Sequence, residues 1–206
     1  GDYKFFENNN TKKLSDVLYE LNKLDIERIR ISSIEPNLLT DEIISLVKLS
    51  DKFCKHFHIP LQSGDSNILK LMRRRYNLTM FRELIERLNS ELPTAGIGVD
   101  VIVGFPGEAD ENFENTYKFL ESLKVSYLHV FSYSERKNTL AINMDGKVDI
   151  KTRRQRSEKL RNLSSVKKYD FYSRFIGKDQ KVLFENKVVR YDGHEFVEGW
   201  TDNYIR

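Results

Sequence analysis

Hydrophobic positions along this chain change their spacing several times, and each change marks an element. LSDVLYELNKL places Leu14, Val17, Leu18, Leu21 and Leu24 on one side of an amphipathic helix. RIRISSI, residues 28–34, alternates Ile29 and Ile31 with polar neighbours and reads as a strand ending at Pro36. Thr40 is suited to N-cap the next helix, with Leu39 and Ile44 as a hydrophobic staple and Ile43 and Val47 on its buried face. The strand FHIPLQ runs into a turn at Gly64, and Asp65 is placed to cap ILKLMRRR. Thr79 opens a helix with Phe81, Leu84, Ile85 and Leu88 on one side. GIGVDVIVGFP is a β-branched run of the kind buried on both faces. Phe113, Tyr117 and Leu120 then mark a helix, and YLHVFSYS, residues 127–134, a fourth strand.

Four strands separated by helices predict a parallel α/β sheet or barrel. Nothing before the first helix reads as a strand, which is odd for a closed barrel, so a partial parallel (β/α) barrel is expected over residues 1–150. After Asn138 the pattern changes. Residues 151–174 predict a basic linker helix with Leu160, Leu163 and Val166 on its packed side. Residues 175–206 carry short β segments, and Asp192-Gly193 between two of them is a hairpin signal. The chain stops on YIR while still reading as a strand, so truncation at both ends is expected.

Composition adds three limits. With 39% hydrophobic and 12% aromatic residues, the 206-residue chain has enough apolar material for one sizeable core. It has neither a membrane-length apolar run nor a signal-peptide pattern at its start, which reads as cytoplasmic. The lone Cys54 excludes a disulfide framework and a cysteine cage within the chain, and its setting suits a buried structural thiol. The net charge of +3 conceals an asymmetry: residues 151–174 hold nine Lys or Arg against two Asp or Glu. Such a stripe suits a polyanionic partner, and equally a solvated helix.

In parallel α/β folds, ligands gather at the carboxyl ends of strands. Those ends offer Ser33 and Glu35, Gln62 and Ser63, Asp100 and the VGFPGE turn, and SYSER after the fourth strand: groups suited to a ribose or an amino acid. No nucleophile–base pair is identifiable. His56 and His58 share one strand face, but no further residue suggests itself as a third ligand, so no metal site is expected.

Taken together, HFHIPLQSGDSNILKLMRRRY, GIGVDVIVGFPGEADENFENTYKFL and YLHVFSYSERKNTLA resemble the methylthiotransferase family of radical S-adenosylmethionine enzymes. RIRISSIEPNLLT resembles the branch acting on N6-threonylcarbamoyladenosine at position 37 of transfer RNA. GDYK resembles the point just past that branch's second barrel strand, and EGWTDNYIR the start of a TRAM domain, a small RNA-holding β-barrel. The resemblance implies S-adenosylmethionine, two [4Fe–4S] clusters and transfer RNA as cofactors and partner. It also implies a 5′-deoxyadenosyl radical, chemistry that side chains cannot supply. Both cluster-binding cysteine motifs are missing, so this fragment alone is expected to be inactive.

By that resemblance the cofactor-contacting set is Ser33, Glu35, Gln62, Ser63, Asp100, Ile102, Phe131 and Tyr133. The RNA-contacting set is Arg73, Arg74 and Arg75 at one helix tip, with Arg153, Arg154, Arg156, Lys167 and Lys168 on the basic helix. Tyr191, Phe196, Trp200 and Tyr204 read either as base-stacking groups or as core of a small β-domain. SERKNTLA departs from the family's proline-containing loop, and Ala109 leaves Asp110 as the expected cap of the following helix. Alternative readings are the same chemistry on isopentenyl-adenosine or on a ribosomal protein, and a nonenzymatic RNA-binding module.

Overall fold

A computed structural model describes residues 5–7 and 10–206. GDYK lies outside the described residues. The chain opens with an antiparallel pair, β1 (Phe5–Glu7) and β2 (Asn10–Lys12), where no strand was expected. Helix α1 (Leu14–Lys23) follows, with Leu18 buried and Val17 and Leu24 exposed. The predicted strand 28–34 is not a regular one. It runs beside the sheet through Ile29 N–H to the Lys52 carbonyl, Cys54 N–H to the Ile29 carbonyl, and Ile34 N–H to the His58 carbonyl. Those bonds are too widely spaced to make a continuous ladder.

The centre is a three-stranded parallel sheet in the order β3 (His56–Gln62), β4 (Gly96–Val103), β5 (Tyr127–Ser132). Helix α2 (Asp41–Leu49) precedes it, starting after Thr40 as expected although the Thr40 side chain makes no capping bond. Leu39 and Ile44, the expected staple, are both buried. Asp65 does cap α3 (Ser66–Leu71), accepting from the N–H groups of Asn67 and Ile68. The next helix, α4 (Leu78–Glu91), starts earlier than Thr79, because the Asn77 side-chain Oδ1 accepts from Met80 N–H at 2.8 Å. In α5 (Asp110–Ser122), Ala109 occupies the cap position and Asn112 reaches back to its N–H. Asp110 is therefore the first helical residue and not the cap.

One face of the sheet belongs to the core. Phe57, Ile59, Leu61, Ile97, Val99, Val101, Val103 and Leu128 point into it together with Phe81, Ile85, Leu88 and Leu120 from the helices. Alternation sends the remaining strand residues to the other face, where His56, His58, Asp100, Ile102, Tyr127, His129 and Phe131 stand. Gly98 belongs to this second face, and a Cβ there would strike the Tyr127 ring.

The predicted linker helix is α6 (Ile150–Ser173), and it is a packed layer of the structure, not a spacer. Leu160 and Leu163 enter the core while Val166 stays exposed. Along the sheet edge, the Ser164 hydroxyl accepts from Leu128 N–H and donates to the Leu128 carbonyl, and Ser157 meets Ser132 at 2.8 Å. Those contacts occupy part of an open strand edge. At its start α6 is held by arginines. Arg156 is buried and binds Glu108 at 2.6 Å, the Glu108 carbonyl at 3.0 Å and Asp110 at 2.7 Å. Arg153, also buried, takes both carboxylate oxygens of Glu135 and the Tyr133 carbonyl, and its stem lies over Gly104, whose φ of +76° also suits only glycine.

The hairpin β6 (Val182–Tyr191)–β7 (His194–Thr201) turns at Asp192-Gly193, both with positive φ, as the sequence predicts. Residues after it dock on the N-terminal end of the sheet. Trp200 stacks on Tyr204 at 4.4 Å and Tyr204 on His56 at 4.5 Å, with the Arg30 guanidinium 4.8 Å from the Tyr204 ring. Arg28 donates to the carbonyls of Trp200 and Lys181, and Asn203 to that of Thr94. Tyr191 and Phe196 are exposed, which disagrees with the core alternative for these two residues.

Replacing one member of a buried ion pair leaves the other charge uncompensated, at a cost of roughly 3–5 kcal/mol. Arg156→Met is therefore expected to lower unfolding free energy by about that amount in urea titrations. Arg154→Ala, on the exposed side of the same helix, should change it by less than about 0.5 kcal/mol. Equal effects would show that Arg156 does not clamp the helix.

Candidate functional site

At the carboxyl ends of β4 and β5, a pocket of about 590 Å³ is walled by Ile102, Phe105, Tyr133, Leu71, Leu140 and Met144, with Arg73 and Arg74 on its rim. Its walls are apolar and aromatic. Phe105 and Tyr133 meet edge-to-face at 5.4 Å. The Tyr133 hydroxyl is buried and has no hydrogen-bond partner. Buried hydroxyls are normally satisfied, and this one is among the few in the described residues that are not. An apolar slot with aromatic walls of this size suits a flat ring. The 3₁₀ turn Leu140–Asn143, in the SERKNTLA stretch, forms part of the wall.

The loop beneath this pocket is rigid for electrostatic reasons. Glu108 accepts from Gly104 N–H at 3.0 Å and from Arg156. Burial pushes its carboxyl up, and those two donors oppose the shift. Tyr133 is fixed from behind by Arg153, which also holds the Glu135 carboxyl down at about 2 through its hydrogen bonds. The arginines of α6 thus set the shape of the pocket.

The expected cofactor residues divide. Ile102 and Tyr133 line the pocket. Gln62 is buried at the end of β3 with a φ of +70°. Glu35 sits beside the neighbouring pocket with Arg73 and Arg75 and faces Arg74 at 3.7 Å. Ser33 and Phe131 are exposed. Ser63 is corrected: fully buried, it bonds the Thr116 hydroxyl and accepts from Asp65 N–H, which gives it a structural post. Asp100 stands mid-strand on the uncovered face, with its carboxylate bonded to histidines.

The expected RNA residues divide as well. Arg73 and Arg75 are exposed at the end of α3, where Arg73 has a φ of +54°. Arg154 and Lys168 are exposed on α6. Arg153 and Arg156 are corrected, being buried in the ion pairs described. Lys167 is likewise turned inward, its ammonium donating to the carbonyls of Glu121 and Leu123 at the end of α5.

Sequence reasoning missed a cluster on the uncovered sheet face. His58 Nε2 lies 2.5 Å from Asp100 Oδ1, and His129 Nδ1 is 3.6 Å from the same oxygen. Burial works to raise the Asp100 carboxyl, but the hydrogen bonds from His129 and His58 outweigh it and hold it at about 2. Beside them His56 meets the Tyr127 hydroxyl at 2.7 Å, and burial depresses its imidazole to about 3. The missing signal was register: Asp100 pairs with His129, and Pro60 with Asp100, in the parallel ladders.

Comparison with known proteins supplies the class. Residues 7–120 match the radical SAM superfamily. The chain belongs to that superfamily. It is 39% identical over 181 residues to the threonylcarbamoyladenosine tRNA methylthiotransferase MtaB of Bacillus subtilis, covering 88% of this chain and 40% of that protein. MtaB of Aquifex aeolicus is 36% identical over 195 residues, covering 93% and 45%. The tRNA-2-methylthio-N(6)-dimethylallyladenosine synthase of Thermoanaerobacter pseudethanolicus is 35% identical over 200 residues, covering 89% and 42%. The chain thus spans under half the length of these curated relatives. Among solved structures, Escherichia coli coproporphyrinogen III oxidase (HemN), a radical SAM enzyme, shares the fold with a TM-score of 0.51 at 17% identity, covering 79% of this chain and 36% of that one.

The iron–sulfur clusters of such enzymes do not fit the residues present. Cys54 is buried, its thiol is pushed up by burial, and the sequence holds no second cysteine.

His56 gives a pH test. Its folded value of about 3 lies below its ordinary 6.5, so protonation favours the unfolded chain. Its stabilising contribution is complete above about pH 6.5 and is lost as pH falls toward 3, with a slope approaching 1.4 kcal/mol per pH unit. Urea unfolding between pH 7 and pH 4 should show that slope, and His56→Phe should flatten it. An identical slope in the variant would mean that His56 is not the group responsible.

Proposed function

We propose that this chain is part of a transfer-RNA methylthiotransferase that places a methylthio group on C2 of N6-threonylcarbamoyladenosine at position 37. The observation that carries the reading is the apolar pocket with its unpaired Tyr133 hydroxyl and arginine rim, in a chain 39% identical to an MtaB protein. Where S-adenosylmethionine is bound in an intact enzyme of this kind, it supplies the radical that opens the adenine C2–H bond.

The chain's own part is to bind and to exclude water. Ile102 and Phe105 offer the walls against which a purine stacks, and the Tyr133 hydroxyl donates to a ring nitrogen or ribose oxygen. Removing water from such a slot strengthens every polar contact made inside it. Arg73 and Arg75 supply phosphate contacts at the rim, joined by Arg154 and Lys168 on the outer side of α6. These contacts position RNA without reading its sequence. The hairpin β6–β7 with its docked tail is read as the beginning of a TRAM-like RNA-holding unit, with exposed Tyr191 and Phe196 available to stack on bases. Without the cluster-bearing segments the fragment turns nothing over.

Nucleoside mass spectrometry of total transfer RNA, with and without the intact gene, tests the reading. Loss of the 2-methylthio form of threonylcarbamoyladenosine on deletion, restored by complementation, is expected. Loss of a methylthio-dimethylallyladenosine instead would keep the chemistry and move the substrate to that of the Thermoanaerobacter relative. No change in any nucleoside would overturn the transfer-RNA assignment.

For the fragment itself, transfer-RNA binding should weaken steeply with salt. Substituting Arg73 and Arg75 together by alanine should lower the slope of log affinity against log salt by about 2. The double substitution Arg153→Ala/Arg156→Ala should act through stability instead. A salt slope untouched by the first pair would remove the α3 tip from the RNA surface.

A further inference from the structure

We propose that His58, Asp100 and His129 form a binding site for a divalent transition-metal ion, zinc being the best chemical fit. The site is separate from the pocket at the strand ends, and the proposal stands whether or not the reaction assigned above is correct.

The three donors come from three neighbouring strands of one parallel sheet. Asp100 and His129 are directly paired across β4 and β5, and His58 lies two residues before Pro60, the partner of Asp100 on β3. All three side chains therefore project from the same face. Their ligand atoms lie within 4.8 Å of one another, and the two imidazole rings are 4.6 Å apart between centroids. A tetrahedral zinc ion bonds imidazole nitrogen and carboxylate oxygen at about 2.0–2.2 Å, which sets ligand atoms roughly 3.3 Å apart. The His58–Asp100 separation of 2.5 Å has to open by under an ångström, and the 3.6 Å separation has to close slightly.

Charge supplies a second and independent argument. The Asp100 side chain is only 18% exposed, yet no lysine or arginine among the described residues forms an ion pair with it. Within the chain, its compensation comes from the hydrogen bonds of His58 and His129 alone. Two imidazoles offer hydrogen bonds and at most partial charge; a divalent cation held by all three groups neutralises the carboxylate fully. Two imidazoles and one carboxylate also form a donor set common to zinc and ferrous sites. The His129 side chain is 45% exposed, so one side of the cluster is open to a water molecule or to an oxygen of an entering ligand. Along β4 Asp100 lies two residues before Ile102 on the same face, and an ion there lies next to the proposed binding pocket.

The test uses the tag-free 206-residue chain, stripped with a chelator. Zinc titration by calorimetry should give one ion per chain, and cobalt(II) should develop the visible ligand-field bands of a four- or five-coordinate ion. Ring proton resonances of His58 and His129 should shift with zinc while those of His194, on the hairpin, do not. His129→Gln should weaken binding by at least about 100-fold, since even outer-shell changes cost 10–100-fold. His194→Gln should leave binding unchanged. No binding below about 100 µM zinc would overturn the site. So would unmoved His58 and His129 resonances, or full affinity in His129→Gln; the three residues would then be a hydrogen-bonded cluster only. The resonance measurement needs no variant, so a misfolded substitution does not decide the outcome.

Discussion

A β-strand has two faces, and in β3, β4 and β5 the helices cover only one of them. That constraint organises the molecule. On the covered face Phe57, Ile59, Val99 and Val101 are excluded from water, and they supply the hydrophobic driving force for the sheet. On the other face the strands are free to carry histidines, a carboxylate and tyrosines without disturbing that core. The glycines of β4 belong to the same arrangement, for Gly98 leaves room for the Tyr127 ring and Gly96 for the Asn203 backbone. Chemistry and stability are thus allotted to alternate residues of the same short strands.

Helix α6 shows how one basic segment serves two purposes. Its inward arginines are spent on Glu108, Asp110 and Glu135, and through them on the loops that shape the pocket. Its outward charges, Arg154 and Lys168 among them, remain in solvent. Charge counted along the sequence cannot separate the two groups, because the separation depends on which turn of the helix faces the sheet.

The fold was largely legible from the sequence. Periodicity located α1, α2, α4, α5 and the three central strands, and Asp192-Gly193 located the hairpin. The β1–β2 pair was not foreseen, and two other features escaped for identifiable reasons. Residues 28–34 alternate like a strand, but their bonds to residues 52–58 are spaced too widely to make one. The buried roles of Arg153 and Arg156 could not be inferred because their partners lie 18 to 48 residues away. Of the residues lining the pocket, Tyr133 was legible as a strand-end group, while Ile102 came only from the family resemblance. The Asp100 cluster was not legible, because it exists only in the parallel register that brings three strands together. The family resemblance was carried by those same stretches, and the superfamily match agrees with it.

The fit between Gly98 and Tyr127 has a consequence for how this sequence can drift. With the Tyr127 ring occupying the space above the glycine, neither position is free to vary alone. A side chain at 98 becomes tolerable only after the ring at 127 has been lost, and losing the ring first takes the hydroxyl partner from His56 and a stacking partner from Tyr204. Homologous sequences should therefore show the two positions changing as a pair, through intermediates that are less fit than either end.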